Sequence, residues 1–446
     1  MSSSSVQAGY GIDDKPPHRT AALIGLQHLL AVFGGIVTAP LLIALGMQLD
    51  ADETTYLISS ALVVSGFATL VQIVRFRGIG SGMLSIQGTS FTFVTPLIFL
   101  YQMKANALPP DVVLGQIFTA CLVCSLLMVV FAQAIDRLQR IITPAVAGST
   151  VVLLGASLVW VALQGLQRDF DSYGLPALVS AAAAIATVAL MAFSGRPTLR
   201  LASVVGGLIV GSLVAFALGL LTPPEVATAS GLFIPELLRY PVALDIGMVL
   251  VLLPIFIVSA TESVGDLSAT AQLSGIRLRD RDFLRRLRGG VTADSLNSFF
   301  AAVFSTFPNT TFSQNNGVIR LTGVASRRVG LYTAAMLILI GVVPVVATVI
   351  QTLPSSVVGG ATLIMFAMVG VSGWLMLGGT QIDRRTLVIA SVAVIGGPVL
   401  SLIAGRISSV PTMLSTFLAS PVSTGAFIAM LLELLIPRFT ILEPAQ

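Results

Sequence analysis

Charge is what this chain has least of. Only 10% of its 446 residues are Asp, Glu, Lys or Arg, against 55% that are apolar, and the mean hydropathy is +0.95. A large soluble domain cannot be built at that balance, because too few polar side chains remain to cover its surface; a polytopic helical membrane protein can. Cysteine is nearly absent as well. Cys121 and Cys124 make the one C-x-x-C, and it lies inside the apolar stretch 112–132 on neighbouring positions of a helix, which argues against redox or metal use. No His, Cys and carboxylate cluster completes a metal site and no nucleophile stands beside a base, so neither a metal nor a cofactor is expected. The net charge of +4 is distributed loop by loop, as membrane topology requires, which sets nucleic acid aside as a partner. A cleavable signal is not expected either: the polar, Ser-rich stretch 1–19 runs straight into a full-length apolar span.

What is present is a succession of fourteen apolar segments of roughly spanning length, near 20–44, 55–75, 85–102, 112–134, 141–165, 174–193, 201–221, 242–275, 287–306, 307–325, 329–351, 355–378, 385–405 and 411–436. With a cytoplasmic N-terminus, the inner side receives Lys15, Arg19, Arg75, Arg77, Arg137, Arg140, Arg196, Arg200, the basic run 277–288, Arg327, Arg328, Arg384, Arg385 and Arg438. The outer side keeps Lys104, Arg168, Arg239 and Arg406. This positive-inside asymmetry supports an even number of spans with both termini cytoplasmic. The run 277–288 reads as the longest cytoplasmic loop, a solvated topology determinant in preference to a lipid-binding patch. The glycines of 78–82 read as a flexible re-entry turn, since the strand and helix context of a phosphate loop is missing.

The segment 307–317 is polar at a depth where a span should be oily, and it contains proline. Backbone groups cannot stay unsatisfied in hydrocarbon, so such a run is buried in protein or lines a wet cavity. Its Asn309-Thr310-Thr311-Phe312-Ser313 answers Gly88-Thr89-Ser90-Phe91-Thr92 in the third segment, close to half the chain earlier. These segments are seven apart, and an odd number of spans per repeat inverts one half against the other, which puts a site at the midplane between them. The repeats are 1–222 and 240–446, joined by an external loop around 222–241. The Thr- and Phe-rich halves favour short strands able to pair with each other, with helices starting near Thr92 and Gln314. Each half-helix then aims its N-terminus, with partial positive charge, at the bilayer centre.

Glu262 and Asp266 lie four apart in the eighth segment and so share a helical face. A carboxylate inside a span is costly unless paired, protonated or wet, and is a functional residue by default; the alternative is a packing hydrogen bond. Gln314 offers an acceptor and a donor side by side, matching the edge of a lactam or imide, while Glu262 accepts only. Together they can clamp a planar heterocycle with several N–H groups. Phe91 can give that ring an edge or a backbone N–H, or it is ordinary packing. His28, in the first segment, can relay a proton or fix a neighbouring helix, and the second reading is taken. Asp294, with Asn297, belongs either to a coupling network or to a helix cap. The glycosylation sequon at 309–311 is discounted because the site buries it.

Gln314-Asn315-Asn316-Gly317-Val318-Ile319-Arg320-Leu321-Thr322-Gly323 satisfies the pattern Q/E/P-N-x-G-x-x-x-x-T-R/K/G, and Gln27-His28 and the Glu262/Asp266 pair accompany it. With these residues the chain resembles the nucleobase-ascorbate transporter family, also called nucleobase cation symporter family 2, over nearly its whole length. The resemblance implies an all-α polytopic fold of fourteen spans as a seven-plus-seven inverted repeat, with two short antiparallel strands in broken spans 3 and 10. A core domain, 20–134 with 242–351, would move in an elevator-like cycle against a gate domain, 141–221 with 355–436, that forms a homodimer. Gln314, where the family's uracil carriers typically have Glu, is similar to the xanthine and uric acid branch. Carried over, Glu262 and Gln314 would bind the purine and Ser90 and Phe91 would line the opposite wall. Asn315, Gly317, Thr89 and Phe312 would shape the site, and Asp266, His28 and Asp294 match positions important for transport or structure. Arg320 stands at a signature position that is usually uncharged; it would attract an anionic substrate, which leans toward urate, or snorkel to the inner surface.

The expectation is therefore a proton-coupled importer of uric acid or xanthine in a bacterial-type inner membrane, with the coupling ion taken from the resemblance. Two alternatives stay open: an anion exchanger or channel of the same architecture, and an intramembrane enzyme using Glu262 and Asp266.

Overall fold

The computed structural model describes residues 9–133, 143–221, 231–277, 280–378, 382–404, 417–418 and 420–436. The expectations for Arg137, Arg140, Arg406 and Arg438, for residues 222–230 of the loop 222–241 and for the first part of the last apolar segment lie outside the described residues. In chain order come α1 (His18–Met47), α2 (Ala51–Val74), β1 (Gln87–Thr89), a 3-10 turn (Phe91–Phe93), α3 (Val94–Lys104) and α4 (Pro110–Gln133). Next are α5 (Pro144–Tyr173), α6 (Leu175–Ala192), the short α7 (Pro197–Leu201) and α8 (Ser203–Ala217). The second half holds α9 (Ile246–Leu273), α10 (Arg281–Val303), β2 (Asn309–Thr311), α11 (Gln314–Thr322), α12 (Arg327–Val342) and α13 (Pro344–Gln351). It ends with α14 (Ser355–Met376), α15 (Arg384–Ala404) and α16 (Pro421–Leu435).

Each apolar segment contains a helix, but fewer of these helices are transmembrane by length and composition. Among the described residues eight are long and apolar enough to cross a membrane, nine if α12 and α13 count as one span. That pair is bent by 74°. Pro344 causes the break, since it offers no N–H to the preceding turn and drives Val343 to an extended φ of −98° and ψ of 99°. Helix α10 falls short for another reason: Thr292, Asp294, Ser295, Asn297 and Ser298 on it are all buried, and protein takes the place of lipid around them.

Two expectations are corrected here. The basic run 277–288 is not a loop throughout, because α10 begins at Arg281 and carries Arg285, Arg286 and Arg288 on its first two turns. Arg and Leu are good helix formers, and Arg286 donates to Asp282 four residues earlier at 2.6 Å and to the carbonyls of Ser81 and Gly82. The turn 78–82 is not flexible in its packing: Gly80 donates to the Gly289 carbonyl at 2.8 Å, and at its φ of +96° a Cβ would meet the Val71 carbonyl at 2.5 Å. Only glycine fits there.

The helices pack in two groups. In one, α1, α2, α4 and α9 to α12 surround the strands; in the other, α5, α6, α8 and α14 to α16 pack together. The α5–α14 contact of the second group is made by small residues, a Cβ on Gly155 of α5 falling 2.3 Å from the Gly370 nitrogen of α14. Without a hydrophobic drive inside lipid, backbone approach of this kind supplies the dispersion contacts that hold helices together. Cys121 and Cys124 are buried and free in α4, with Cys124 Sγ donating to the Val249 carbonyl. Cys121→Ala is expected to leave transport within about twofold of wild type, its cost being a small cavity; uptake assays on the variant check this.

Candidate substrate site

The two polar interruptions meet. β1 and β2 pair antiparallel, with Gln87 opposite Thr311, Gly88 opposite Thr310 and Thr89 opposite Asn309. The sheet is extended by Ser90 N–H donating to Pro308 O and by Phe312 N–H donating to Ile86 O, both at 3.0 Å. Two strands of three residues cannot stand alone in water. Here they are sealed between α1, α2, α9 and α10, so their backbone bonds have no competitor. From this pair the 3-10 turn leads into α3 and Ser313 leads into α11. Ser90 caps the first, its Oγ accepting from Thr92 N–H at 3.3 Å.

In front of the strands lies a cavity of about 300 Å³. Its polar wall is made of Ser90, Phe91 and Thr92 from the turn, Glu262 and Asp266 from α9, and the stretch 310–314. Its apolar wall comes from the N-terminal half of α5, with Val151, Leu154 and Leu158, and the C-terminal half of α14, with Met365, Val369 and Met376. The cavity therefore lies between the two packing groups. Thr92 Oγ1 donates to Glu262 Oε2 at 2.7 Å, and Thr311 Oγ1 donates to Asp266 Oδ2 at 3.3 Å, so each carboxylate is held by one hydroxyl from a different broken segment. The Gln314 amide has no hydrogen-bond partner among the described residues. Phe91 packs edge-on to Phe366 with ring centres 5.4 Å apart, and it lies 6.3 Å from Phe312 at a tilt of 50°.

Glu262, Gln314, Phe91, Ser90, Asp266 and Phe312 thus share one cavity. The others stand behind it. Asn315, on the first turn of α11, donates from Nδ2 to the Leu84 carbonyl at 2.6 Å and so ties the half-helix to the approach to β1. Gly317 faces α7, where a Cβ would meet Leu201 at 3.2 Å. Thr89 is buried in β1 with its hydroxyl unpaired. His28 is fully buried in α1 beside Asn315, and neither ring nitrogen has a partner of hydrogen-bonding geometry. Asp294 lies thirteen residues inside α10, which corrects the helix-cap alternative; its Oδ1 accepts from Gln72 Nε2 at 3.1 Å. Asn309 is 2% exposed, out of reach of a glycosylating enzyme. Arg320 is exposed on the last turn of α11 and forms no ion pair among the described residues.

Sequence reasoning passed over Thr92 as a partner of Glu262, although it belongs to the duplicated motif. It also missed the α5 and α14 wall, for which no signal exists: Leu154 and Met365 look like any lipid-facing residue.

A family model, Xan_ur_permease, described as "Permease family", matches residues 19–405. The chain belongs to the nucleobase-ascorbate transporter family. As a member it is a multi-pass membrane transporter and not an enzyme, which removes the acid/base reading of Glu262 and Asp266. Among its relatives, xanthine permease XanP of Escherichia coli (strain K12) is 35% identical over 436 residues, covering 96% of this chain and 94% of that one. Xanthine permease XanQ of the same organism is 32% identical over 442 residues, covering 96% and 93%. Among solved structures, the transmembrane domain of a cyanobacterium bicarbonate transporter, BicA, superposes with a TM-score of 0.59 at 15% identity, covering 93% of this chain and 99% of that one. At that identity the likeness to BicA shows the fold alone.

Proposed function

We propose that this protein imports a purine base, xanthine or uric acid, by proton symport across a bacterial inner membrane. The observation that carries the substrate class is the meeting of the Glu262 carboxylate and the unpaired Gln314 amide on one cavity of about 300 Å³. A xanthine-type ring presents N–H and C=O groups side by side; an amide reads one such edge, a carboxylate accepts from two N–H groups, and Phe91 covers a face. The volume is at the small end of ligand pockets, suited to a single bicyclic heterocycle. The names of XanP and XanQ support the same class. Arg320, exposed on the last turn of α11 and outside the cavity lining, does not choose between xanthine and urate.

The coupling proton is assigned to Glu262 or Asp266, carboxylates that can be neutral in one state of the cycle and charged in another. The antiparallel pairing of β1 with β2 supports fourteen crossings as two inverted repeats of seven, 1–222 and 240–446. The two packing groups support a core, 20–134 with 242–351, moving elevator-like against a gate, 141–221 with 355–436; the homodimer through the gate is taken from the family resemblance. With both termini cytoplasmic, the α5 and α14 residues on the cavity support an inward-facing state. An anion exchanger of the same fold is disfavoured because the cavity wall carries two carboxylates and no Lys or Arg among the described residues.

Uptake of labelled xanthine and urate by membrane vesicles, with and without a protonophore, tests this reading. Accumulation that survives collapse of the pH gradient sinks the proton claim, and failure to take up either purine sinks the substrate claim. Gln314→Ala is expected to weaken purine binding by roughly tenfold to a hundredfold, the loss of one or two hydrogen bonds in a site from which water is largely displaced. Calorimetry in detergent measures it, and an unchanged affinity would remove Gln314 from the site.

A further inference from the structure

Beside β2, with no lining residue in common with the substrate cavity, is a second polar space of about 20 Å³. That is room for one water molecule. Asp294 of α10, Asn309 of β2 and Ser263 of α9 line it, and all three are more than nine-tenths buried. Asp294 Oδ2 has no partner, nor has either amide atom of Asn309. Three unpaired polar atoms on two side chains of one water-sized space call for a small ligand that both donates and accepts. The rest of the lining, including Met128 of α4, Phe256 of α9 and Val291 of α10, brings no other titratable group to it.

Ser263 follows Glu262 in the chain but faces the other way. Its hydroxyl meets Thr310 Oγ1 at 3.0 Å, in a pair where either can donate, and Thr310 lines the substrate cavity. β2 gives Asn309 to this space and the next residue, Thr310, to the substrate cavity, and the two hydroxyls link the two. A hydroxyl takes a proton on one lone pair and gives up its own, so it can pass charge without keeping any.

We propose that Asp294 exchanges a proton with the substrate cavity through one water in this space and the Ser263–Thr310 hydroxyl pair. The Asp294 carboxyl gives its proton to the water, the water gives one to Ser263 Oγ, Ser263 gives its own to Thr310 Oγ1, and Thr310 releases one to a water in the substrate cavity that it lines. One O–H bond breaks at Asp294 and one forms in the cavity, with each intermediate unchanged in composition. Asp294 is thus a holding place for the coupling proton outside the substrate cavity. This rests on the proton-symport reading above.

Ser263→Ala tests it, because it removes the middle hydroxyl without touching the cavity wall. In reconstituted vesicles the variant is expected to keep purine affinity and gradient-free purine exchange within about twofold, while uptake driven by an imposed pH gradient falls at least about tenfold. Asp294→Asn is expected to give the same split, and Ser263→Thr, which keeps a hydroxyl, to recover driven uptake. Driven uptake at the wild-type level in Ser263→Ala overturns the relay. So does parallel loss of binding, exchange and driven uptake in both Ser263→Ala and Asp294→Asn, which marks a merely structural pair. Failure of the symport reading is seen separately, as wild-type protein that does not accumulate purine on a pH gradient.

Discussion

Glu262→Gln abolishes purine binding, with affinity falling at least about a hundredfold, some 3 kcal/mol or more. The substitution keeps the shape of the side chain and removes only its charge and one acceptor. Thr92 Oγ1 donates to one carboxylate oxygen at 2.7 Å. When Thr92 keeps that bond, the amide oxygen of the variant turns toward Thr92 and its NH2 turns toward the ligand. Two ring N–H groups that met a charged acceptor then meet a donor. Each charge-assisted bond lost is worth roughly 1.5–3 kcal/mol, and the donor–donor contact adds to it. Calorimetry in detergent, with thermal unfolding to confirm the fold, is the measurement; wild-type affinity would remove Glu262 from the site.

Gly88→Val eliminates transport and destabilises the protein together. Gly88 is the middle residue of β1, and a Cβ there would lie 2.6 Å from both Ile36 Cγ1 and Phe312 Cε2. On its other side the Phe312 ring presses on Gly35, where a Cβ would lie 2.4 Å from Cε1. The ring thus sits in a slot made by two glycines and has nowhere to retreat but into the substrate cavity that it lines. Overpacking of a filled core costs typically about 1–3 kcal/mol, and the branched side chain stands at the upper end. Uptake lower by more than about tenfold, with an earlier unfolding transition in detergent, is expected; wild-type values of both would mean that the strand pair can open to admit a side chain.

How far the site was legible differs from residue to residue. Glu262 and Asp266 announced themselves because carboxylates in an apolar run are costly, and their spacing put them on one helical face. The pairing of β1 with β2 could be anticipated from two polar, β-prone stretches half a chain apart. Thr92 was written in the same motif and was passed over, because a Thr in a membrane segment most often bonds to its own helix, as Thr119 does to the Gly115 carbonyl. Ser263 and Asp294 gave no hint of sharing a space, since they come together only where α9, α10 and β2 cross.

By itself the sequence determined the solvent of this protein, its helical segments, the two breaks in them and the family to which it belongs. These are local matters, set by the cost of polar groups in hydrocarbon and by backbone preferences over a few residues. Tertiary structure alone decided which apolar residues face the cavity, which segments are full spans, where α12 bends away from α13, and how Thr92 and Thr311 hold the carboxylates while Ser263 meets Thr310. A leucine against lipid and a leucine against a purine satisfy the same hydrophobic requirement, so composition cannot tell them apart. Only the packing of α5 and α14 across the strand pair does.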